Sequence, residues 1–419
     1  MSSPLDDLEA AVSTPVAKEY RCGTDRQVGP TETLARVRPL MPAMGITRVA
    51  MVTGLDCVGI PVAVAIRPNA RSLATSQGKG LTADLARASA LMEAAELFHA
   101  EHATLPIKFN SKRELQNTGH ALIETAALPR TPHVTLDDDL EIAWVEAMNL
   151  MDKTRLWVPY DLVHTNYTVP ARSCHAFNAT SNGLASGNHL AEAVVVGLCE
   201  TVERDATTLW RQQPKATQDA CRVDLATVQD ADCVGLLSLF EAADVAVAVW
   251  EVTSDIGLPV FYCTIVDRTA GPLRPIHAAT GMGCHPNRQI ALIRALTEAA
   301  QSRLTVTTGS RDDVGWKDYV RLQDPSVLET IQSRVLGTRP QRSFADAPDL
   351  SHDSFNADIG AILERLTRRD IKQVAVVNLT RPDLGIPVTR VVVAGLEGMV
   401  ESPDYVRGAR ALFYLGGHR

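Results

Sequence analysis

The sequence predicts an α/β fold with mixed sheets, on three observations. Runs of branched apolar residues that read as strands are interleaved along the whole chain with alanine-, leucine- and glutamate-rich runs that read as helices. Their order is not a clean βαβ alternation, which argues against a doubly wound parallel sheet. Neither a Rossmann glycine fingerprint nor a P-loop is present. Ser76-Gln-Gly-Lys-Gly80 lacks the spacing, and the hydroxyl residue after lysine, that a P-loop requires.

Taken in order, the first 20 residues are polar and acidic and read as a flexible arm, placing the folded domain at 21–419. A short helix is expected over 31–38, opened by Pro30-Thr31-Glu32 and stopped before Pro39. Segments 49–52 and 61–66 read as strands. A polar, glycine-bearing loop over 72–82 leads into a helix over 83–102, with Thr82 as hydroxyl cap and Asp84 in the first turn. A strand is expected over 141–148. A second glycine-rich loop, 178–188, runs into a long helix over 189–212, with Asn188 placed to cap it. Segments 245–252 and 260–266 read as paired strands, and a Gly281-Met-Gly-Cys-His-Pro286 turn precedes a third helix over 287–304. Residues 309–350, polar, acidic and proline-bearing, read as a surface excursion. A helix over 358–367 and strands over 373–379 and 388–393 complete the domain.

Composition narrows the function classes. Of 419 residues, 45% are apolar and 21% charged, an ordinary globular balance with ample length for a large core. The net charge of -8 argues against a general nucleic-acid binder, which needs a basic surface. No apolar run is long enough to span a membrane, and no signal peptide is apparent, so a cytoplasmic location is expected. The eight cysteines are scattered without a C-x-x-C pair, which fits reduced thiols better than zinc sites or disulfides. Cys174, Cys199 and Cys284 carry no signal that marks a nucleophile, and His285 reads as structural.

The chemistry is concentrated on two helices. At 100° per residue, with Glu192 as zero, Glu203 falls near ~20°, Glu200 near ~80°, Asn188 near ~-40° and Arg204 near ~120°. Three carboxylates, an amide and a guanidinium thus share one side, while Val195, Leu198 and Val202 take the other. On the earlier helix Glu93 and Glu96 are three residues apart with Ser89 on the same side, among alanines and leucines that mark a buried setting. Carboxylates crowded together in a low dielectric demand a compensating cation, and hard divalent ions such as Mg2+ with a phosphate substrate are the natural one. The loops before both helices, with Lys79 in the first, can bring backbone amides to an anion.

Ser76-Gln-Gly-Lys-Gly-Leu-Thr82, Ala88-Ser-Ala-Leu-Met-Glu-Ala-Ala-Glu96, Ser181-Asn-Gly-Leu-Ala-Ser-Gly-Asn188, Glu200-Thr-Val-Glu-Arg-Asp-Ala206 and Cys284-His-Pro286 followed by Ala291 to Arg303 resemble the YcaO family. The resemblance runs from about residue 23 to 397 and implies that family's α/β fold, with helices lining a central ATP pocket. It implies ATP and Mg2+ as cofactors, with Glu93, Glu96, Glu200 and Glu203 holding the metal. Arg26, Thr33, Lys79, Ser89, Asn188, Glu192, Arg204 and Arg294 would surround the nucleotide, with the guanidinium forks suited to phosphate. Leu97 and Val393-Ala-Gly-Leu-Glu397 depart from the usual family pattern.

The implied activity is ATP-dependent activation of a peptide backbone amide: a nucleophile adds to the carbonyl, the oxygen is phosphorylated, and phosphate leaves. No separate catalytic triad is visible and the catalytic residue stays unassigned. The chain ends in Tyr414-Leu-Gly-Gly-His-Arg419, without the Pro-x-Pro-x-Pro tail of azoline-forming members. This resembles the stand-alone members that work beside a TfuA-like partner and install a thioamide from a sulfur donor. The expected substrate is a ribosomally made peptide or a protein, with a TfuA-like or leader-peptide-binding partner; a homodimer is allowed. Azoline-forming cyclodehydration, amidine formation, and a degenerate member that only binds a partner or leader peptide are the alternatives.

Overall fold

Three units in which a strand runs straight into a long helix organise the molecule. The computed structural model describes residues 3–168, 175–269, 278–402 and 404–416. In the first unit, strands Arg48–Met51, Val62–Ile66 and Thr75–Lys79 form an antiparallel sheet in that order and lead into the helix Ala83–Glu101. In the second, Val245–Glu251, Val260–Asp267 and Ala278–Cys284 form another antiparallel sheet and lead into the helix Arg288–Thr308. The third unit belongs to a six-stranded sheet that runs Ile107–Ser111, Glu141–Asn149, Val374–Asn378, Val388–Val393 and Leu184–Ser186, with Arg155–Pro159 added beside Glu141–Asn149. Its edge strand Leu184–Ser186 opens the helix Leu190–Arg211.

Small residues let each strand lie directly on its own helix. A Cβ on Gly78 would stand 2.0 Å from the Ala90 amide nitrogen, and one on Gly283 would stand 2.1 Å from the Ala291 carbonyl oxygen. Both positions therefore require glycine, and the alanines of the facing helix turns complete the close approach. The apolar core packs the 83–101 helix against the six-stranded sheet through residues such as Leu91, Trp144 and Val377. A second cluster joins the 190–211 helix to Trp250, Tyr262 and Ile359, and a third seats the 288–308 helix on Phe261 and Phe240.

Several expectations change. The segment over 75–79 is a strand, not part of a loop, with Thr75 to Gly78 buried and paired to Val62–Ile66. Its polar side chains bond inward, Thr75 Oγ1 donating to the Ser310 carbonyl (3.0 Å) and Gln77 bonding Thr305, so apolar alternation never appears. Likewise Gly281–Cys284 ends a strand rather than forming a turn. His189, not Asn188, caps the 190–211 helix: its Nδ1 accepts from the Ala191 amide (3.1 Å).

Residues 1–20 are not a polar arm where the structure describes them. Ser3 caps a helix, Pro4–Ser13, whose Leu5, Leu8 and Ala11 are buried against the second core cluster and the 190–211 helix. Lys18 is buried between Asp25 (2.7 Å) and Asp358 (2.5 Å). The 309–350 excursion is only partly superficial: the helix Pro325–Gly337 buries Leu328 and Val335, while Trp316 is 78% exposed. Cys174 and the last three residues of the chain terminus lie outside the described residues. Among the described residues, no helix is long and apolar enough to cross a membrane.

Candidate active site

The three strand–helix units converge on one cavity of about 610 Å³. All twelve residues singled out from the sequence line it: Arg26, Thr33, Lys79, Ser89, Glu93, Glu96, Asn188, Glu192, Glu200, Glu203, Arg204 and Arg294. They come from the chain start, two glycine-bearing strand ends and three helices, so only the fold brings them together.

At one end the N-terminal segment is tied to the 190–211 helix. The Glu192 carboxylate accepts from Arg26 Nη1 (3.2 Å) and from the Gln27 amide (2.9 Å). Thr33 Oγ1 donates to Asn188 Oδ1 (3.1 Å). These contacts hold the chain start over the cavity as a wall.

In the middle the carboxylates crowd together. Glu93 accepts from the Gln77 amide (3.3 Å), and Glu96 accepts from the Ser186 amide (2.8 Å) and hydroxyl (2.7 Å). Burial, only partly offset by Lys79, raises the Glu93 pKa. Burial lifts Glu96 to about 8, with Glu93 and Glu200 adding repulsion against the Ser186 bonds. Glu200 is lifted to about 7 by burial, against the pull of Arg204. Glu203 is raised by burial, with Glu298 adding to it, and its Oε2 has no hydrogen-bond partner among the described residues. Arg204 Nη2 lies 3.7 Å from Glu203 and 4.0 Å from Glu200, while Arg204 Nε and Arg294 Nε have no hydrogen-bond partner among the described residues.

This donor set fits Mg2+ with a phosphate-bearing nucleotide. Oxygen ligands are what a hard cation takes, and carboxylates held above their ordinary pKa gain most from one. Among the described residues, no three His, Cys, Asp or Glu side chains are gathered as a ready-made cage. Mg2+ does not ask for one, because it keeps waters and shares phosphate oxygens with one or two carboxylates. The orphaned Nε atoms of Arg204 and Arg294 are the complementary feature, donors without acceptors among the described residues at a site where anionic oxygens would sit.

Sequence reasoning missed Glu298. It lines the cavity, accepts from the Met282 amide (3.2 Å) and pairs with Lys79 (2.8 Å). Burial pushes its pKa up, but Lys79, Arg204 and Arg294 outweigh burial and hold it below the ordinary value. Its signal was present: it lies one helical turn after Arg294, on the face that Arg294 presents. Arg311, beyond the 288–308 helix, also lines the cavity and pairs with Asp313 (2.5 Å). The cysteines contribute packing. Burial and the neighbouring Cys199 keep the Cys284 thiol well above its usual pKa, hence protonated. His285 is held neutral by burial and by Lys18, Arg294 and Arg26, and its Nδ1 accepts from the Asn287 amide (3.0 Å).

Comparison with known proteins identifies the class. The chain belongs to the YcaO family: the model described as YcaO cyclodehydratase, ATP- and Mg2+-binding, matches residues 77–397. ATP and Mg2+ are therefore its cofactors. It is 34% identical over 398 residues to an uncharacterized protein in the tfuA 3' region of Rhizobium leguminosarum bv. trifolii, covering 94% of this chain and 93% of that protein. Among solved structures, YcaO from Methanopyrus kandleri bound with AMPPCP and Mg2+ superposes with a TM-score of 0.70 at 23% identity, over 93% of this chain and 99% of that one. A heterocyclase in complex with substrate and cofactor gives 0.78 at 22% identity over 99% of this chain, which spans 58% of that longer protein. These likenesses establish the α/β fold expected from the sequence. Membership of the family defines the activity class, an ATP-dependent peptide-modifying enzyme.

Proposed function

We propose that this protein converts a peptide backbone amide to a thioamide, using ATP to activate the amide oxygen. The single observation that carries amide activation is the cluster of raised-pKa carboxylates facing orphaned guanidinium nitrogens across one cavity. In this reading Glu93, Glu96, Glu200 and Glu203, joined by Glu298, hold Mg2+. Arg204, Arg294 and Lys79 meet phosphate oxygens. Arg26, Thr33, Asn188 and Glu192 enclose the rest of the nucleotide, and Ser89 lines its path. When bound, Mg2+ supplies charge neutralisation for the phosphate oxygens.

The chain's own residues act by placement. The carboxylates fix where cationic charge sits, the arginines stabilise charge that develops on the transferring phosphoryl group, and the three packed helices keep both sets rigid. Hydrosulfide adds to the amide carbon, the former carbonyl oxygen takes the γ-phosphoryl group, and the C–O bond then breaks. One amide, one hydrosulfide and one ATP give one thioamide, ADP and phosphate. The similarity to a protein of a tfuA 3' region supports a TfuA-like partner and, through it, the thioamide reading, which itself requires a sulfur donor. A second reading, cyclodehydration of Cys, Ser or Thr to an azoline, is favoured by the family description and the heterocyclase neighbour.

The test is to incubate the protein, its candidate partner and a peptide with ATP, Mg2+ and sulfide, and to weigh the peptide. Exchange of oxygen for sulfur supports the thioamide reading; loss of one water supports the second. ATP turnover with an unmodified peptide would sink both.

A further inference from the structure

A second, smaller cavity of about 50 Å³ is lined by residues that alternate in sequence with lining residues of the large one. Glu200 and Ser181 line the large cavity, while the adjoining Thr201, Thr180 and Asn182 line the small one. Two charged groups line it, Arg390 on the strand Val388–Val393 and Glu397, whose carboxylate already accepts from the Tyr405 hydroxyl (2.7 Å) and the Gly408 (3.0 Å) and Ala411 (2.8 Å) amides. Arg390 is 1% exposed, and only its Nη2 is engaged, donating to the Thr180 carbonyl (2.6 Å). Its Nε and Nη1, and the nearby Asn182 Oδ1, have no hydrogen-bond partner among the described residues. Burial lowers the Arg390 pKa to about 10, against the pull of Glu200, so the guanidinium stays charged while stripped of water.

A buried guanidinium with two free N–H groups calls for an acceptor, preferably an anion. The unpaired amide oxygen calls for a donor on the same guest. Leu162, Leu396 and Met399 supply apolar lining, where a strongly hydrated dianion loses more than one guanidinium returns. A small monoanion that accepts through one atom and carries one proton meets every demand, and hydrosulfide is such an ion. Water lacks the charge, while a halide such as bromide can meet the guanidinium N–H groups and leaves only the Asn182 oxygen unserved, which makes it a probe of the anion half of the site.

We infer that the Arg390 cavity is a hydrosulfide site, with Arg390 and Asn182 holding the sulfur nucleophile beside the carboxylate cluster; the inference rests on the thioamide reading. The guanidinium favours the deprotonated ion over hydrogen sulfide, and the lining residue Thr201 puts the bound sulfur next to the helix turn that carries Glu200.

The test uses the full chain with ATP, Mg2+, peptide and sodium hydrosulfide. In crystals of the unaltered protein soaked in bromide, an anomalous peak beside Arg390 is expected. In steady state, Arg390→Met and Asn182→Ala should raise the KM for sulfide about tenfold or more, with the KM for ATP within about twofold of the parent. Bromide should compete with sulfide and not with ATP. Absence of a bromide peak at Arg390, or an unchanged sulfide KM in Asn182→Ala, overturns the site. Because the soak needs no variant, misfolding of Arg390→Met does not shield the proposal. A thioamide formed with these outcomes negative removes the Arg390 site alone; a dehydrated peptide removes the thioamide reading, and the nucleophile role with it.

Discussion

The first and second strand–helix units have the same architecture and opposite electrostatics. In each, a strand amide donates to a glutamate 16 residues later: Gln77 to Glu93 (3.3 Å) and Met282 to Glu298 (3.2 Å). The next residue in each is the glycine on which the helix rests, Gly78 or Gly283. One turn before the glutamate stands Ser89 in the first unit and Arg294 in the second; three residues after it stand Glu96 and Gln301. The first unit therefore piles carboxylates together, and its Lys79 reaches across to pair with Glu298 of the second. Glu93 is raised and Glu298 lowered. With burial pushing both glutamates up, the cations that the fold gathers around Glu298, Lys79 and Arg204 foremost, decide that Glu93 rather than Glu298 awaits an external cation.

The sharpest way to break the comparison is at the third helix, which supplies carboxylates to both units. Glu203 Oε2 and Arg204 Nε have no hydrogen-bond partner among the described residues, and the remaining side-chain contacts of Arg204 are loose, at 3.7 Å to Glu203, 4.0 Å to Glu200 and 3.4 Å to Met282 Sδ. Glu203→Gln combined with Arg204→Ala should cut ATP hydrolysis about 1,000-fold or more, with peptide modification lost in parallel. Modification that survives would mean the cavity has been read wrongly.

Next comes Glu298→Gln. It leaves Lys79, Arg204 and Arg294 without their shared counter-charge, and ATP hydrolysis should fall about 100-fold in a steady-state assay. A fall of less than about threefold would reduce Glu298 to a scaffold bond to Met282.

The equivalence of the two scaffolds has its own test. Gly78→Ala and Gly283→Ala each drive a methyl into helix backbone and should each cost about 2 to 3 kcal/mol in denaturant unfolding. Gly45→Ala, where nothing lies within 4 Å but φ is 69°, should cost about 1 kcal/mol. Similar costs at Gly78 and Gly45 would mean that the strand–helix contact is loose.

The helices were legible because their signals are local: the Thr82 cap, the alanine-rich faces, and the angular grouping of Glu192, Glu200 and Glu203. The strand Thr75–Lys79 was not, because its side chains are polar and pair with Thr305 and Ser310, far away in sequence. The N-terminal helix escaped notice because three buried apolar residues, Leu5, Leu8 and Ala11, are a weak signal in an acidic segment. Site membership of all twelve chosen residues followed from motif order, yet their spacing could not reveal that Lys79 binds Glu298. Glu298 was within reach of the same helical-face argument through Arg294, whereas its bonds to Met282 and Lys79 needed the register between strand and helix, which only the fold supplies.

The smallest effect concerns pH, and it separates the two units by sign. Glu96 is raised to about 8 and Glu200 to about 7, so without metal the native state holds protons that the unfolded chain releases near its ordinary carboxylate pKa. Stability then falls as pH rises from about 4.5 toward about 8, because the native state binds more protons throughout that window. Glu298, lowered, behaves oppositely: its contribution is present above its unfolded pKa and is lost as pH falls through the folded value. The metal-free protein should therefore lose a few degrees of Tm, about 3 to 5, between pH 5.5 and pH 8 in a thermal scan. Mg2+ with a non-hydrolysable ATP analogue should flatten that slope, since a cation replaces the protons. Glu96→Gln should flatten it without metal, while raising the Mg2+ concentration required for ATP hydrolysis about tenfold. A slope equally steep in Glu96→Gln and in the parent would place the excess protons elsewhere and remove the contrast between the units.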